Sequence, residues 1–395
     1  MPPRRPVCES QWLGICQARP WWRQGGFWDA RLFTFNPKPV LQGSWVGKAR
    51  RASIGSPRDY VMEENKTSAH QQADTVGQGM RSRRTAVLGG SGFIGRYIVK
   101  RLAARGDIVP VSCRNAEKGR FLRPMGAVGQ VEPLNVAIHD EAVLPTFLAG
   151  CSGLVNCVGI LRETGSQTFE RVHHTGPALL ARIARDAGVE RFVHISAIGA
   201  DARSSSAYAR TKAAGEAALR DAFPTVTILR PSVVFGPEDQ FFNRFATMVL
   251  FMPALPLIGG GETRFQPVYV GDVADAVVKC LDDPATAGRT YELGGPKIYT
   301  LREIFELLLH EIRRHRWLIN LPFPVAELQA KFMSILPNPP LTPDQVELLK
   351  RDNIVSSGAL TFSSLGIAPT PVEAILPTYL DRFRSGGSYR GQGSE

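Results

Sequence analysis

The sequence Thr85-Ala-Val-Leu-Gly-Gly-Ser-Gly-Phe-Ile-Gly95 decides the fold of this chain. Its apolar beginning predicts a buried strand, which breaks at Gly89 and resumes as a helix near Phe93. The glycine spacing is typical of a turn that binds a dinucleotide. Gly89 permits the tight turn, Gly92 lets the backbone approach a pyrophosphate, and Gly95 lets the helix pack close to the strand.

The start of this helix is the predicted phosphate site. The backbone N–H groups of Phe93, Ile94 and Gly95 have no helical acceptors, and the positive end of the helix dipole favours an anion there. An ordinary strand-to-helix turn can also contain glycines. Strand, glycines and helix follow one another in the required order, which favours dinucleotide binding.

The chain after Thr85 alternates short apolar strands with helical stretches. This alternation predicts an α/β fold, a Rossmann doubly wound parallel sheet, with a small C-terminal α/β lobe. We expect further strands at residues 108–113, before Asn135, and at 154–159, 192–196 and 226–229. We expect the Rossmann domain with its integrated lobe at residues 83–384, the lobe mainly at 237–265 and 290–384, and a flexible tail at 385–395.

Residues 1–82 differ in composition from the rest. Residues 1–84 hold fourteen Lys and Arg against six Asp and Glu, so most of the net charge of +11 lies there. Five of the six tryptophans also fall in this stretch, among Pro, Gly and Arg without periodicity. We interpret residues 1–82 as a disordered or leader-like extension upstream of a later start such as Met80.

The remaining composition excludes several classes of protein. The body lacks a basic stripe interleaved with aromatics, which argues against nucleic-acid binding. No stretch of about eighteen apolar residues predicts a membrane-spanning helix. The six cysteines never form a C-x-x-C spacing, so we expect reduced thiols and no disulfide framework.

The end of the second predicted strand bears on the choice of dinucleotide. An acidic residue there would bind a ribose 2′-hydroxyl, whereas an arginine favours a 2′-phosphate. The residue is Arg114, so the sequence favours NADP(H) over NAD(H). A solvated loop charge is the alternative interpretation.

A second chemical motif follows the fifth predicted strand. Tyr208 and Lys212 lie four residues apart and therefore on one face of a helix. The ammonium would lower the phenol's pKa and hold ribose hydroxyls, so that Tyr208 could act as a general acid or base. The pattern is common on solvated helices, but after a glycine turn and four further strands it is specific.

With Arg230-Pro-Ser-Val-Val-Phe-Gly236 added, the chain resembles the extended and atypical short-chain dehydrogenase/reductases. The stretches S-S-S-A-Y-A-R-T-K-A-A-G-E, F-G-P-E-D-Q-F-F-N-R-F-A and Q-P-V-Y-V-G-D-V-A are similar to the 39 kDa nucleotide-binding accessory subunit family of respiratory complex I. The resemblance covers roughly residues 83–380. It implies a Rossmann fold holding a structural NADPH, with complex I subunits as partners.

The resemblance also implies roles for single residues. Those that would hold the nucleotide are Gly89, Gly92, Phe93, Ile94, Gly95, Arg114, Asn135, Val158, Gly159, Tyr208, Lys212, Pro231 and Ser232. Asn135 departs from the family pattern, in which a carboxylate often meets the adenine. The candidate catalytic residues are Tyr208, Lys212 and Ser196.

A departure at position 197 separates two functional hypotheses. Active members usually carry two serines after the fifth strand, but this chain has Ser196-Ala197. Losing an oxyanion donor typically costs about 2.7–4 kcal/mol of barrier. We therefore expect an NAD(P)H-binding accessory or assembly subunit. The alternative is an active NADP-dependent reductase or epimerase acting on a quinone precursor or sugar nucleotide, with Ser196 or one of Ser204, Ser205 and Ser206 as donor.

The histidines and the C-terminal lobe complete the expectations. His173 and His174 are adjacent and face different sides, and His194 lies inside a strand, so no metal site is expected. Leu328, Phe332, Ile335 and Leu336 have helical spacing beside a basic turn. They predict either an amphipathic helix docked on the lobe or a membrane-surface or partner-binding face. The resemblance implies a cytoplasmic or peripheral inner-membrane protein in a bacterium, or the mitochondrial matrix side in a eukaryote.

Overall fold

A computed structural model describes residues 83–334 and 341–385 of the chain. The extension at residues 1–82, Ile335 and Leu336, and residues 386–395 of the expected tail lie outside the described residues. The predictions made for them therefore remain predictions.

Short strands occur throughout the described chain. They are β1 (Thr85–Leu88), β2 (Val109–Cys113), β3 (Val131–Asn135), β4 (Gly153–Asn156), β5 (Arg191–Ile195), β6 (Thr227–Pro231), β7 (Val234–Phe235), β8 (Ala254–Ile258), β9 (Arg264–Phe265), β10 (Val268–Tyr269), β11 (Thr290–Leu293), β12 (Tyr299–Thr300) and β13 (Trp317–Leu321). Seven of them form a parallel sheet in the order β11-β6-β5-β4-β1-β2-β3. This confirms the α/β fold class.

Helices connect these strands. They are α1 (Phe93–Ala104), α2 (Leu144–Leu148), α3 (Gly176–Asp186), α4 (Ala207–Ala222), α5 (Phe242–Phe251), α6 (Val270–Asp282), α7 (Leu301–Glu311), α8 (Phe323–Met333), α9 (Pro343–Leu348), α10 (Val372–Ile375) and α11 (Pro377–Leu380). A π-helical turn, Glu170–Thr175, runs directly into α3. Thr300 forms a complete capping box with Glu303 at the start of α7.

Two apolar layers enclose the sheet. On one face Ile98 and Leu102 of α1 pack with Val273 and Val277 of α6 against buried strand residues. On the other face α3 and α4 cover the sheet. Burial of both faces explains why β1 is a continuous apolar run rather than an alternating one.

The strand order reverses between β1 and β4. From β1 the chain proceeds to β2 and β3 on one side, and β4 then pairs with the opposite side of β1. A crevice opens at the carboxyl ends of strands where such a reversal occurs, and ligands bind there in folds of this type. The glycine turn and the residues after Asn156 therefore lie at the same crevice.

The lobe has its own hydrophobic core, but one strand that we expected in it belongs to the body. Buried Phe242, Leu255, Phe305 and Leu308 pack together around α5 and α7. Thr290–Leu293, which we expected to belong mainly to the lobe, is instead the edge strand of the main sheet, paired with β6. The reason is that β11 pairs with backbone N–H and C=O groups along the edge of β6, which would otherwise have no strand beside them.

Candidate functional site

The glycine turn has the backbone geometry that the sequence predicted. Gly89 has φ of 75°, a left-handed conformation that favours glycine. Its carbonyl oxygen accepts a hydrogen bond from the N–H of Gly92 at 2.9 Å, which closes the turn. A Cβ on Gly95 would lie 2.4 Å from that same oxygen and 2.6 Å from the Cα of Gly90. Only glycine therefore allows the helix to approach the turn this closely.

The start of α1 is open to an anion. Gly92 is its N-cap residue and supplies no capping side chain, and the first turn contains no acidic residue. The N–H groups of Phe93, Ile94 and Gly95 lie in this first turn, where helical geometry provides no acceptor. The site therefore has the donors and the dipole that a phosphate requires.

The loop after β2 places Arg114 at the edge of the sheet, where its side chain is exposed. Asn135 ends the neighbouring β3, and its side-chain oxygen accepts from the backbone N–H of Ala116 at 2.6 Å. Asn135 thus fixes the loop that carries Arg114. Its predicted role in adenine recognition stays a prediction.

The residues at the end of β4 and directly after it form the floor of the crevice. Buried Asn156 accepts a hydrogen bond from the N–H of Val158 at 3.0 Å, and its amide lies 3.1 Å from Nδ1 of His194. Gly159 leaves room for a side chain from the opposite wall, because a Cβ there would lie 3.3 Å from Nζ of Lys212. Val158 and Gly159 therefore line the side of the crevice that faces Lys212.

Tyr208 and Lys212 are both brought to this crevice by α4. The ring of Tyr208 packs edge-on against His173 and Phe169. Lys212 is 4% exposed, and its ammonium donates to the carbonyl of Ile195 at 3.3 Å. The two residues thus lie together as the motif predicted.

Their acid–base properties differ from the expectation. Burial, with a smaller contribution from the charge of Asp344, raises the pKa of Tyr208 to about 12. Burial lowers the pKa of Lys212 to about 8, although Glu216 opposes this shift. The expected lowering of the phenol's pKa by the ammonium is therefore wrong for this structure, because desolvation dominates at Tyr208.

Ser196, the candidate catalytic serine, has a hydrogen-bond partner of its own. Its hydroxyl is buried and donates to the carboxylate of Glu216 at 2.6 Å. Ala197 follows it and supplies no hydroxyl. The structure therefore uses Ser196 to link β5 to α4.

The three serines named as substitutes are also engaged. Ser206 donates to Asp344 at 2.8 Å, and Ser205 donates to Glu347. The hydroxyl of Ser204 is buried and accepts from the backbone N–H of Ser206 at 3.2 Å.

The loop after β6 completes the crevice. Pro231 ends the strand and is buried, and Ser232 follows it. The Ser232 hydroxyl donates to the side-chain oxygen of Asn353 at 2.7 Å and lies 2.9 Å from its backbone carbonyl. The Asn353 side chain also accepts from the N–H of Val233 at 3.1 Å.

The motif analysis missed three residues that support this site: Glu216, Asp344 and Asn353. Glu216 could have been found, because it follows Lys212 by four residues and so shares its helix face. Asp344 and Asn353 lie more than 110 residues away from the groups they bind, and no local pattern marks them.

No group of histidine, cysteine and carboxylate side chains within residues 83–334 and 341–385 could hold a metal ion. His173 accepts a hydrogen bond from the N–H of Ile160, and burial lowers its pKa to about 3, so it is neutral. His194 is buried, as predicted. The four described cysteines are free thiols, and none of the described helices is long and apolar enough to cross a membrane.

Comparison with known proteins gives a family and relatives. Residues 85–294 match the model of the NAD dependent epimerase/dehydratase family. The chain is 38% identical to the mitochondrial NADH dehydrogenase [ubiquinone] 1 alpha subcomplex subunit 9 of Arabidopsis thaliana, with 76% of this chain and 78% of that protein covered. Identity to the subunit of the same name from Mus musculus is 35%, covering 83% and 89%.

Two further similarities bear on fold and chemistry. A ceramide reductase of Caulobacter vibrioides is 30% identical, with 60% of this chain and 74% of that protein covered. Among solved structures, the dTDP-glucose 4,6-dehydratase DesIV of Streptomyces venezuelae, with NAD bound, superposes with a TM-score of 0.59 at 23% identity, covering 76% of this chain and 96% of that one. At this identity the superposition supports the fold alone.

Proposed function

We propose that this chain is an accessory or assembly subunit of complex I that holds a nicotinamide nucleotide as a structural group. The chain belongs to the NAD dependent epimerase/dehydratase family and, within it, to the complex I alpha subcomplex subunit 9 group. The nucleotide would lie with its pyrophosphate on Gly92, Phe93, Ile94 and Gly95. Its nicotinamide end would lie near Lys212.

One observation supports the structural role of the nucleotide. The cradle for phosphate is intact, but the second serine of the usual pair is replaced by Ala197, and the hydroxyl of Ser196 donates to Glu216. A carbonyl substrate beside Tyr208 would therefore lack the serine donor that normally stabilises a developing oxyanion. The site can bind a nucleotide without being equipped to use it.

Purification under native conditions tests the assembly role. The tagged full-length chain, expressed in its own cells and analysed by native mass spectrometry, should carry a nicotinamide nucleotide and complex I subunits. A protein that carries nucleotide but never complex I subunits, even after mild cross-linking, would contradict the assembly role. A Gly95→Val protein should lose the nucleotide, because the added side chain enters the turn.

The second candidate is an active NADP-dependent reductase, favoured by the retained Tyr208 and Lys212 and by the similarity to a ceramide reductase. NADPH absorbance should be followed with a quinone, a sugar nucleotide and an oxidised ceramide, comparing the wild type with Tyr208→Phe. Sustained oxidation that disappears in the variant would establish this candidate, since the substitution removes the proton donor and keeps the ring. Under the structural role, neither protein oxidises NADPH.

We also propose a peripheral contact with a membrane surface. Leu250, Phe251, Met252 and Trp317 form an exposed apolar surface on the lobe, here called the lobe patch; Phe251 is 82% and Trp317 75% exposed. Arg316 and His315 line the same depression. Exposed aromatics beside basic side chains suit an anionic lipid surface. The contact would place the protein at the inner face of the membrane that houses complex I.

The neighbouring helix α8 supports this proposal. We expected either a helix docked by its large apolar residues or an exposed face. The helix instead buries Ala326 and Ala330, while Val325, Leu328 and Phe332 are at least half exposed. Docking through alanines leaves the large side chains available for another surface.

Vesicle sedimentation tests the membrane contact. Vesicles with anionic phosphatidylglycerol should retain the protein, and pure phosphatidylcholine vesicles should retain much less. The double substitution Phe251→Ser/Trp317→Ser should abolish retention, whereas Val128→Ser, at a fully exposed position of the body, should not. Equal retention of both variants would contradict the role of the lobe patch.

A further inference from the structure

A buried charge network lies on the face of α4 that packs on β5. Glu216 is 1% exposed, and both of its carboxylate oxygens have partners. Arg230 donates to them at 2.9 and 2.7 Å, and Ser196 donates at 2.6 Å. Arg220 contributes a longer contact at 3.4 Å.

Lys212 and Glu216 contact successive residues at the end of one strand. The ammonium of Lys212 lies 3.3 Å from the carbonyl of Ile195, and the carboxylate of Glu216 lies 2.6 Å from the hydroxyl of Ser196. Both side chains therefore leave α4 in the same direction, one helical turn apart, and end in the same buried layer. The carboxylate of Glu216 thus lies in the same buried layer as an ammonium that has little access to water.

An ammonium in this position needs such a neighbour. The burial of Lys212 favours its neutral form, and the carboxylate of Glu216 is the neighbouring group that most favours the charged form. A neutral Lys212 would offer nucleotide hydroxyls a weaker donor than an ammonium does.

We propose that Glu216 is a positioning residue that keeps the Lys212 side chain charged and directed at the nucleotide crevice. This inference rests on the proposed function, because it concerns the same nucleotide site. It assigns to Glu216 an electrostatic role in nucleotide binding in addition to the ion pair with Arg230.

The other titratable groups that face Lys212 do not change their protonation between pH 7 and 9.5. His173 and His194 have pKa values lowered by burial, to about 3 and well below 6.5, so both are neutral. Burial raises the pKa of Cys157 to about 12, and Tyr208 likewise has a pKa of about 12. A loss of affinity near pH 8 would therefore report Lys212.

The test measures NADPH dissociation constants from pH 5 to 9.5, so that a fall shifted below pH 7 is also observed. In the wild type, affinity should fall as pH rises through about 8, where Lys212 loses its proton. In Glu216→Gln the fall should occur about 1–3 pH units lower, because removal of a neighbouring opposite charge lowers a lysine pKa by about this amount. In Lys212→Arg the fall should vanish, since guanidinium does not deprotonate in this range.

Two matched controls separate the electrostatic role from the structural one. Glu292→Gln removes the other carboxylate of Arg230, at 3.6 Å, and Ser196→Ala removes a partner of Glu216 without changing charge. Both should lower thermal stability and leave the pH of the fall unchanged. If Glu216→Gln does not fold, Glu216→Gln/Arg230→Met removes both members of the ion pair and should shift the fall in the same direction by a smaller amount, because the repulsion between Arg230 and Lys212 is removed as well.

Each outcome decides the matter. A fall that stays at the wild-type pH in Glu216→Gln or in the double variant overturns the inference, as does a wild-type affinity that is constant from pH 7 to 9.5. Absence of NADPH binding by the wild type at every pH refutes the proposed function itself. A fall at lower pH in the Glu216 variants, with both controls unmoved, establishes the role.

Discussion

Arg114 is the residue on which we expect the choice of nucleotide to depend. It follows β2 at the edge of the crevice, and its guanidinium is exposed to solvent. Asn135 fixes the loop behind it through the N–H of Ala116. An arginine held in this way is suited to a ribose 2′-phosphate, which it can bind by charge-assisted hydrogen bonds.

We predict that Arg114→Ala weakens NADPH binding by about 1.5–3 kcal/mol and leaves NADH binding nearly unchanged, because only NADPH carries the 2′-phosphate. Titration calorimetry of both nucleotides measures this difference. Lys118→Ala, at an exposed position of the same loop, is the control and should change neither affinity. Equal wild-type affinities for NADPH and NADH would refute the assignment.

At the scale of elements, the C-terminal segment fastens the helix that carries Tyr208 and Lys212. Asp344 of α9 accepts from the N–H of Ala207 at 2.7 Å and from the hydroxyl of Ser206 at 2.8 Å. It therefore acts as a cap of α4 that comes from another part of the chain. Asn353 makes the corresponding connection to the loop after β6.

We predict that Asp344→Ala lowers the free energy of unfolding by about 0.5–2 kcal/mol, the usual effect of losing a helix cap. Urea denaturation followed by circular dichroism measures it. The comparison variant is Glu347→Ala. Glu347 lies one helical turn from Asp344, and its carboxylate pairs with exposed Lys350. Because solvent screens this pair, the Glu347 variant should lose less stability, and the reverse order would contradict the capping role.

At the scale of the whole molecule, the body holds two layers around its sheet and a lobe with a separate core. A nucleotide in the crevice would contact β1, β4, α1 and α4 at once. Ligand bound only by the native state stabilises it by about 2.7 kcal/mol at a hundredfold excess over its dissociation constant.

We therefore predict that saturating NADPH raises the melting temperature of the wild type measurably, and that Lys212→Ala reduces both this rise and nucleotide occupancy. Tyr208→Phe should retain the rise, since its ring still packs on His173. Differential scanning fluorimetry with and without nucleotide provides the measurement. An equal rise in the wild type and Lys212→Ala would show that Lys212 does not hold the nucleotide.

A second prediction at this scale concerns residues 1–79, whose sequence lacks periodicity and holds eleven Lys and Arg against six Asp and Glu. A protein that begins at Met80 should keep its melting temperature and its bound nucleotide. Aggregation of the shortened protein, or loss of nucleotide from it, would show that this stretch contributes to the fold.

The sequence by itself determined most strands of the sheet, the glycine turn and the placement of Tyr208 and Lys212 on one helix, because each depends on residues near one another in the chain. Periodicity and φ preference act over a few residues, so a linear pattern records them. Strand ends were less accurate: residues 154–159 were predicted as a strand, and β4 ends at Asn156.

Only the tertiary structure decided how the site is held. The pKa of Tyr208 depends on desolvation by surrounding elements, and the engagement of Ser196 depends on Glu216 reaching β5 from α4. Likewise, the pairing of β11 with β6 and the hydrogen bonds of Asp344 join segments that are distant in the chain. Burial and long-range hydrogen bonds are properties of packed neighbours, and a single sequence does not record which segments become neighbours.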